Sequence, residues 1–495
     1  MRLSKSLYVR GLQCPKSLWL KKNRAELLSK PNSSQKDVFA TGDAVGALAC
    51  ELFPNGKEVP FEKTTFQEKI DLTQKWMSEG LDNIYEATFE YDGVLVMVDI
   101  LHINEDKSVE IYEVKSSTSV KTVYLDDASI QYYVLHNLGY DVRSASIVHI
   151  NNKYVREDRL EIEKLFTIAD VTKEVIERQT NIPIHLKQFE TMLSCDSEPK
   201  TPIGKQCDYP YECDAKAYCW RNIPEYSIFN IARLKAEKKF AMYRDGIIEF
   251  NQITDIESFS KSQQIQIEAE QQNKTIINKQ AIKKFLDGLS YPIYHLDFET
   301  FQQAIPQWQG VNPFMQIPFQ YSIHIENENA PIQHKEFLAE VGVDPRYELA
   351  KRLVADIPAD VTVLAYNMEF EKSVINKLAD MFDEFSVPLM KIHDNIQDLM
   401  TPFQKKDYCT PAMKGSYSIK HVLPALVPEM QKAYSALEYV KNGAEAMQIY
   451  PKLATMEDKQ EVMKFREALL RYCELDTLAM VKVLEKLREG VEGSM

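Results

Sequence analysis

Two carboxylates and an ammonium lie within one short hairpin of this chain: Asp99, then Glu113-Val114-Lys115. Paired carboxylates repel unless a cation bridges them or one keeps its proton. A lysine beside them can orient an attacking water or stabilise charge developing on a phosphorus centre. A second acidic constellation follows. Asp297 and Glu299 stand two apart in His295-Leu296-Asp297-Phe298-Glu299-Thr300, and Tyr472 and Asp476 stand four apart in Tyr472-Cys473-Glu474-Leu475-Asp476. Residues two apart share one face of a strand, and residues four apart share one face of a helix. Each set therefore has the pattern of metal-assisted hydrolysis. Between them lie Asn367-Met368-Glu369-Phe370-Glu371 and, further on, Asp398, rival candidates for one more acidic ligand. Lys420 and His421, at the start of an expected helix, could reach phosphate, although Ser418 before them also reads as a plain N-cap.

Cysteines supply a third pattern. Cys207, Cys213 and Cys219 are evenly spaced and answer a lone Cys14 far upstream. Five residues separate each neighbouring pair, more than the two to four usual between paired structural zinc ligands. Iron–sulfur and zinc both remain open at this point. Cys50, Cys195, Cys409 and Cys473 read as ordinary buried or neutral residues.

The elements that must position these groups follow from periodicity. If Asn104–Ser108 is the hairpin loop, Ile103 pairs with Val109 and Asp99 falls opposite Glu113. Asp99, Leu101, Ile103, Val109, Ile111, Glu113 and Lys115 then share a face. Opposed positions lie about 5 Å apart, a span one divalent cation can bridge. Strands are predicted over 84–90, 94–103 and 109–116. Helices are predicted over 4–28, with a break at Cys14-Pro15, over 35–52, and over 126–138, stopping at Gly139. The cysteine loop, 204–221, closes a first domain at residue 222. Residues 223–288 read as a helical connector, where Leu234 to Ile247 is either half of a helix-hairpin-helix clamp or a helix ending at Gly246. Residues 289–490 alternate strands and helices, so the fold class is multidomain α/β.

At 495 residues the chain is long enough for two or three domains. The formal net charge of −14 opposes a nucleic-acid partner on its face. Charge is uneven, however. Arg2, Lys5, Arg10, Lys16, Lys21, Lys22, Arg24 and Lys30 crowd the first thirty residues, and Arg233, Lys235, Lys238, Lys239 and Arg244 form a second run. Each run is either a binding groove or a solvated helix face. No apolar stretch approaches a membrane span, and Met1–Lys5 leads into an amphipathic segment unlike a signal peptide. A cytoplasmic location and no membrane partner are expected.

Asp99 with Glu113-Val114-Lys115 resembles the PD-(D/E)XK nucleases. One cysteine before that core and three after it resemble the iron–sulfur branch of RecB-like nucleases, which includes the CRISPR-associated adaptation nuclease. By that resemblance Cys14, Cys207, Cys213 and Cys219 would hold a [4Fe–4S] cluster, and Asp99 and Glu113 would hold the catalytic cation. That family carries a metal-binding histidine in a Gly-x-x-x-His helix. Here Gly42-Asp43-Ala44-Val45-Gly46 puts a glycine in its place, leaving Asp43, Glu51, Glu86 or water to complete the shell. Gln131 matches a position where such nucleases carry a structural or DNA-contacting glutamine. The second constellation resembles the DEDD exonucleases of RNase H-like fold in their tyrosine version. Asp297, Glu299 and Asp476 would then bind two Mg²⁺ or Mn²⁺ ions, with Glu371 or its rival Asp398 completing the site and Tyr472 positioning water. Glu371 departs from the aspartate usual there. The whole chain is similar to bacterial fusions of these two domains. The resemblance implies a metal-dependent nuclease acting on DNA ends or single strands, in repair or defence. Its alternatives are an RNA 3′ exonuclease and a nucleic-acid-binding scaffold with a decayed first site.

Overall fold

The computed structural model describes residues 2–493 and divides into two compact units. One holds the chain through Asn222 together with Gln303–Phe314, and the other holds Ile223–Gln302 and the chain from Met315 onward. The architecture is multidomain α/β with mixed sheets.

In the first unit, β1 (Leu3–Ser4), β2 (Lys57–Glu58), β3 (Asn83–Tyr91), β4 (Val94–Ile103), β5 (Val109–Lys115), β6 (Val142–Ile150) and β7 (Phe166–Asp170) form one sheet. The order is β2-β3-β4-β5-β6-β7, and β1 pairs with β4 in parallel. β5 and β6 are parallel neighbours, which requires a crossover. The Thr122–Asn137 helix provides it, packing Ala128, Ile130 and Val134 on Ile111 and Ile147. It begins four residues earlier than its periodicity suggests and ends before Gly139, whose φ of +92° suits a left-handed helix stop. The expected N-terminal helix is two: Lys5–Gln13 and Pro15–Asn23, with Cys14 extended between them. Pro15 cannot continue the preceding helix but is well suited to start the next.

In the second unit, β8 (Ile276–Ile277) pairs with β14 (Tyr408–Cys409). β9 (Ile293–Phe301), β10 (Ile317–Glu326), β11 (Gln333–Leu338), β12 (Thr362–Ala365) and β13 (Ile396–Asp398) form a mixed sheet in the order β11-β10-β9-β12-β13. Central β9 is buried along nearly its whole length, as a strand covered on both faces must be. Tyr294, Leu296 and Phe298 enter one core with Ile323, Leu353 and Val363. Ile293 enters another with Leu364 and with Met480 and Leu484 of the long Lys459–Glu492 helix. Asp297 and Glu299 have the parity of Ile293, so they face that helix.

Residues 223–288, expected as a connector, are integral to this unit. Ile282 shares the core of Leu364 and Phe403. Gly415, at φ +74°, lies so close to the segment that a β-carbon there would meet the Asn230 carbonyl oxygen at 2.4 Å. The Ala236–Arg244 helix stops before Gly246, at φ +81°, as a simple helix end does. Among the described residues no helix is long and apolar enough to cross a membrane.

Candidate functional site

β4 and β5 pair Ile103 with Val109 and Ile100 with Tyr112, a register that carries Asp99 opposite Glu113. On its other edge β4 pairs Tyr85 with Ile100 and Ala87 with Val98, which carries Glu86 opposite Asp99. Three carboxylates thus form a row across adjacent strands. Glu86 adopts φ +56°, an uncommon conformation for a strand residue with a side chain. Asp43 and Glu51 are exposed, and Glu86 is the residue of those three that faces Asp99. Burial, then Asp99, pushes the Glu86 carboxyl up to about 7. A β-carbon added at Gly46 would meet nothing within 4 Å.

Two partners of this row had not been read from the sequence. Lys5, on the first turn of its helix, places Nζ 2.9 and 2.8 Å from the two Glu113 oxygens, 3.6 Å from Asp99 and 3.9 Å from Asp127. Asp127 lies 2.7 Å from Lys115, which also bonds Glu113. Gln131, one helical turn beyond Asp127, donates to Glu113 at 2.7 Å. Burial alone would raise the Glu113 carboxyl, yet Lys115 and Lys5 overcome it and hold the group well below the carboxylate range. Asp127 is pushed up to about 6, by burial first and by Glu113 second. The constellation is therefore Glu86, Asp99, Glu113 and Asp127 with two ammoniums.

Removing Lys5 tests this arrangement. Lys5→Met should lower the stability of the metal-free protein by about 1–3 kcal/mol, the usual loss for a hydrogen bond to a charged group. It should also raise affinity for Mn²⁺, because an ammonium no longer competes for Glu113. Melting curves with and without Mn²⁺ check both signs. Unchanged curves would show that Lys5 does not engage the carboxylates.

Both basic runs are largely engaged within the fold. Arg10 forms two parallel bonds to Asp214 at 2.7 and 2.8 Å, Lys16 pairs with Glu198, and Arg2 pairs with Glu90. In the second run Lys239 donates to the Phe229 carbonyl, and Lys238 caps the Phe259 ring. These contacts favour a structural role for most of those cations.

Cys14, Cys207, Cys213 and Cys219 line a single pocket, and all four are free thiols. Cys14 reaches it from the kink between the two N-terminal helices. The loop is held there by Arg10–Asp214 and by Gln13, which donates to the carbonyls of Gln206 and Tyr211 at 2.8 and 2.7 Å. Tyr211, between two of the cysteines, lies near Tyr124, whose ring lies 5.4 Å from Lys115 Nζ. Two tyrosines thus lie between the cysteine loop and the acidic row.

In the second unit Asp297, Glu299 and Cys473 offer ligand atoms within 4.8 Å of one another. Glu371, in the first turn of the Met368–Met381 helix, is buried, and its Oε2 lacks a hydrogen-bond partner. Asp398 is not equivalent. Its Oδ1 accepts the amides of Asn367 at 3.0 Å and Met400 at 2.9 Å, fixing the turn that launches the Glu371 helix. Asn367 there is left-handed at φ +77°. On the long helix, the Tyr472 hydroxyl is close enough to lower the pKa of Asp476, and Tyr434 donates a hydrogen bond to Asp476. Gly443, opening the Gly443–Lys452 helix, lies so near Glu299 and the Tyr472 hydroxyl that a β-carbon would touch both. Lys420 is close enough to lower the pKa of both Glu299 and Asp476.

Burial raises all four carboxyls of this site. Asp476 adds to the shift of Asp297, Asp297 and Asp476 to that of Glu299, and Asp297 to that of Glu371. Asp476 itself reaches about 6, two tyrosine hydroxyls moderating it. The unfolded chain releases these protons near pH 4. Between there and the folded values the native state holds more protons than the unfolded one, so stability falls as pH rises. Cation binding must release the same protons, so Mn²⁺ affinity climbs over that window. Melting in EDTA should therefore decline from about pH 4.5 to above pH 6, and Mn²⁺ should restore it increasingly. A flat metal-free profile would contradict the carboxyl convergence.

The fold and these groups define a two-unit α/β protein with two partly buried acidic constellations and a four-thiol pocket. Residues 294–418, which include Asp297, Glu299, Glu371 and Asp398, match a family described as "Domain of unknown function (DUF2779)". The chain is 29% identical over 231 residues to "Uncharacterized protein UU173" of Ureaplasma parvum, covering 43% of this chain and 33% of that one. It is 24% identical over 206 residues to "Uncharacterized protein MG366" of Mycoplasma genitalium, covering 38% and 31%. The matched region thus spans about a third of the length of these curated relatives. A solved structure titled "Crystal structure of SSO0001" is similar over 44% of this chain and 85% of that one, with 13% identity and a TM-score of 0.24.

Proposed function

We propose that this chain is a divalent-metal-dependent nuclease with two phosphodiester-hydrolysing sites acting on DNA ends or single strands. The first unit would be an iron–sulfur PD-(D/E)XK domain and the second an RNase H-like DEDD exonuclease. The observation that carries the reading is the convergence of Asp297, Glu299, Glu371 and Asp476 from two strand positions and two separate helices. Nothing in ordinary folding favours four carboxyls drawn together, two of them buried and two half-buried, and one buried member keeps a bare oxygen. The five-stranded mixed sheet, with its first acids on the central strand, supports the same reading.

Charge balance separates the two sites. Four carboxylates against Lys5 and Lys115 leave a deficit that one divalent cation neutralises. In the second constellation, among the described residues, Lys420 is the cation that acts on Glu299 and Asp476, and four carboxylates against it leave −3, more than one divalent cation neutralises. Two such cations, when bound, activate the attacking water and stabilise the leaving oxygen. Asp297, Glu299, Glu371 and Asp476 would hold them. The Tyr472 hydroxyl lies at the edge of the site beside Gly443, where it can orient water, and Lys420 can approach a substrate phosphate. In the first site Asp99 and Glu113 would hold the cation and Lys115 would stabilise charge on the phosphate. Lys5 already bonds both Glu113 oxygens, which makes that site the weaker.

The four thiols suit a [4Fe–4S] cluster better than zinc. A zinc tetrahedron with bonds of about 2.3 Å spaces its sulfurs about 3.8 Å apart. Among the described residues, the thiols line one pocket without forming a group within 4.8 Å. Digestion of end-labelled single- and double-stranded DNA and RNA with Mn²⁺, using anaerobically purified protein, tests the proposal. Shortening of labelled DNA from its 3′ end is expected. Preferential RNA trimming would move the activity to RNA, and binding without cleavage would leave a scaffold.

A further inference from the structure

The second constellation contains one group that two-cation phosphodiester chemistry does not require, the thiol of Cys473. It is fully buried on the long helix, between Tyr472 and Glu474, and its Sγ lies 3.8 Å from Asp297 Oδ2. Carboxylate oxygens prefer Mg²⁺ and Mn²⁺, whereas a thiolate prefers softer cations such as Zn²⁺. Bond lengths decide whether both kinds of ligand could serve one ion. A tetrahedral zinc with about 2.3 Å to sulfur and about 2.1 Å to oxygen separates those atoms by about 3.6 Å. The observed spacing needs almost no adjustment. Glu299 belongs to the same tight group. Glu371, buried beside Asp297 with Oε2 unpartnered, is available as a further ligand.

We propose that Cys473, Asp297 and Glu299 form a binding site for one thiophilic divalent cation of the zinc class, which displaces the hard cations and arrests the second site. Binding removes the thiol proton to solvent and forms the sulfur–metal bond in its place. No electron transfer is involved. Arrest follows because a soft ion held by sulfur occupies ligands the two-cation arrangement needs. That consequence depends on the phosphodiesterase reading, whereas the ligand set does not.

Co²⁺ is the probe, because a sulfur–cobalt bond adds a near-ultraviolet charge-transfer band that carboxylates alone do not give. The whole 495-residue chain, with its four-thiol pocket already loaded, is titrated beside Cys473→Ser prepared in the same way. The difference spectrum should contain the band at one equivalent, Zn²⁺ should remove it by competition, and Zn²⁺ affinity should fall at least about tenfold in the variant. Asp297→Asn keeps the thiol and should weaken Co²⁺ binding at least about tenfold, so the assignment does not hang on tolerance of serine at 473. Identical spectra for wild type and Cys473→Ser would overturn the site, as would unchanged Co²⁺ affinity in Asp297→Asn. A band in a protein that cleaves no polymer would keep the metal site and remove the phosphodiesterase reading. Cleavage that Zn²⁺ leaves untouched, with no band, would do the reverse.

Discussion

Asp297→Ala is expected to abolish trimming of labelled 3′ ends, by about a thousandfold or more, while the chain stays folded. Asp297 is the hub of the second constellation: its charge acts on Glu299 and Glu371, and Asp476 acts on it in turn. Removing it deletes a ligand and relieves repulsion among the remaining carboxylates. Activity and stability should therefore move in opposite directions, with metal-free melting unchanged or raised. Lost activity with lowered melting would point instead to a general packing defect. Asp99→Ala should leave end trimming intact and eliminate only separate cleavage by the first site. End trimming that persists in purified Asp297→Ala would overturn the assignment and make the second unit a binding module.

The hairpin was legible because loop length and side-chain alternation fix register together: Ile103 against Val109 determines what faces Asp99. Asp127 was legible in principle, since it stands one helical turn before Gln131 and so shares its face. The choice between Glu371 and Asp398 was also open to local reasoning. Asp398 bonds the amide two residues on, at Met400, a common habit of aspartate in turns. Lys5 was not legible. It reaches Glu113 because Leu3 and Ser4 add a parallel strand to Val94 and Leu95, which aims the following helix across the sheet. Nothing local in Lys5-Ser6-Leu7 encodes that pairing. Tyr434 and Gly443 belong to the same class, since the long helix and its neighbours bring them to Asp476 and Glu299 only after packing. Residues 223–288 misled for a related reason: their polar, glutamine-rich pattern reads as surface, yet Gln266 is fully buried, accepting from the Ala232 amide and donating to the Asn230 carbonyl.

Cys213→Ala should convert a brown protein, absorbing broadly as thiolate-bound clusters do, into a colourless one. Its effect on stability follows from where the ligands lie. Cys14 and Cys207 are separated by most of the first unit, and a cross-link closing a loop of that size contributes up to about 5 kcal/mol through the unfolded state. The loss should lower melting of the first unit without unfolding it outright, because Arg10–Asp214 and the two Gln13 bonds still hold the loop, and Trp19 holds the segment before it through the Cys195 carbonyl. Function should divide in the same way. Tyr211 rides on the cysteine loop near Tyr124, whose ring lies over Lys115, so loosening the loop loosens the packing around the lysine of the first site. Cleavage by the first site should decay with the colour, whereas end trimming by the second should persist. A colourless wild-type protein containing stoichiometric zinc after anaerobic purification would replace the cluster with a zinc centre. Equal loss of both activities in Cys213→Ala would mean that the thiol pocket supports the whole chain and not the first site alone.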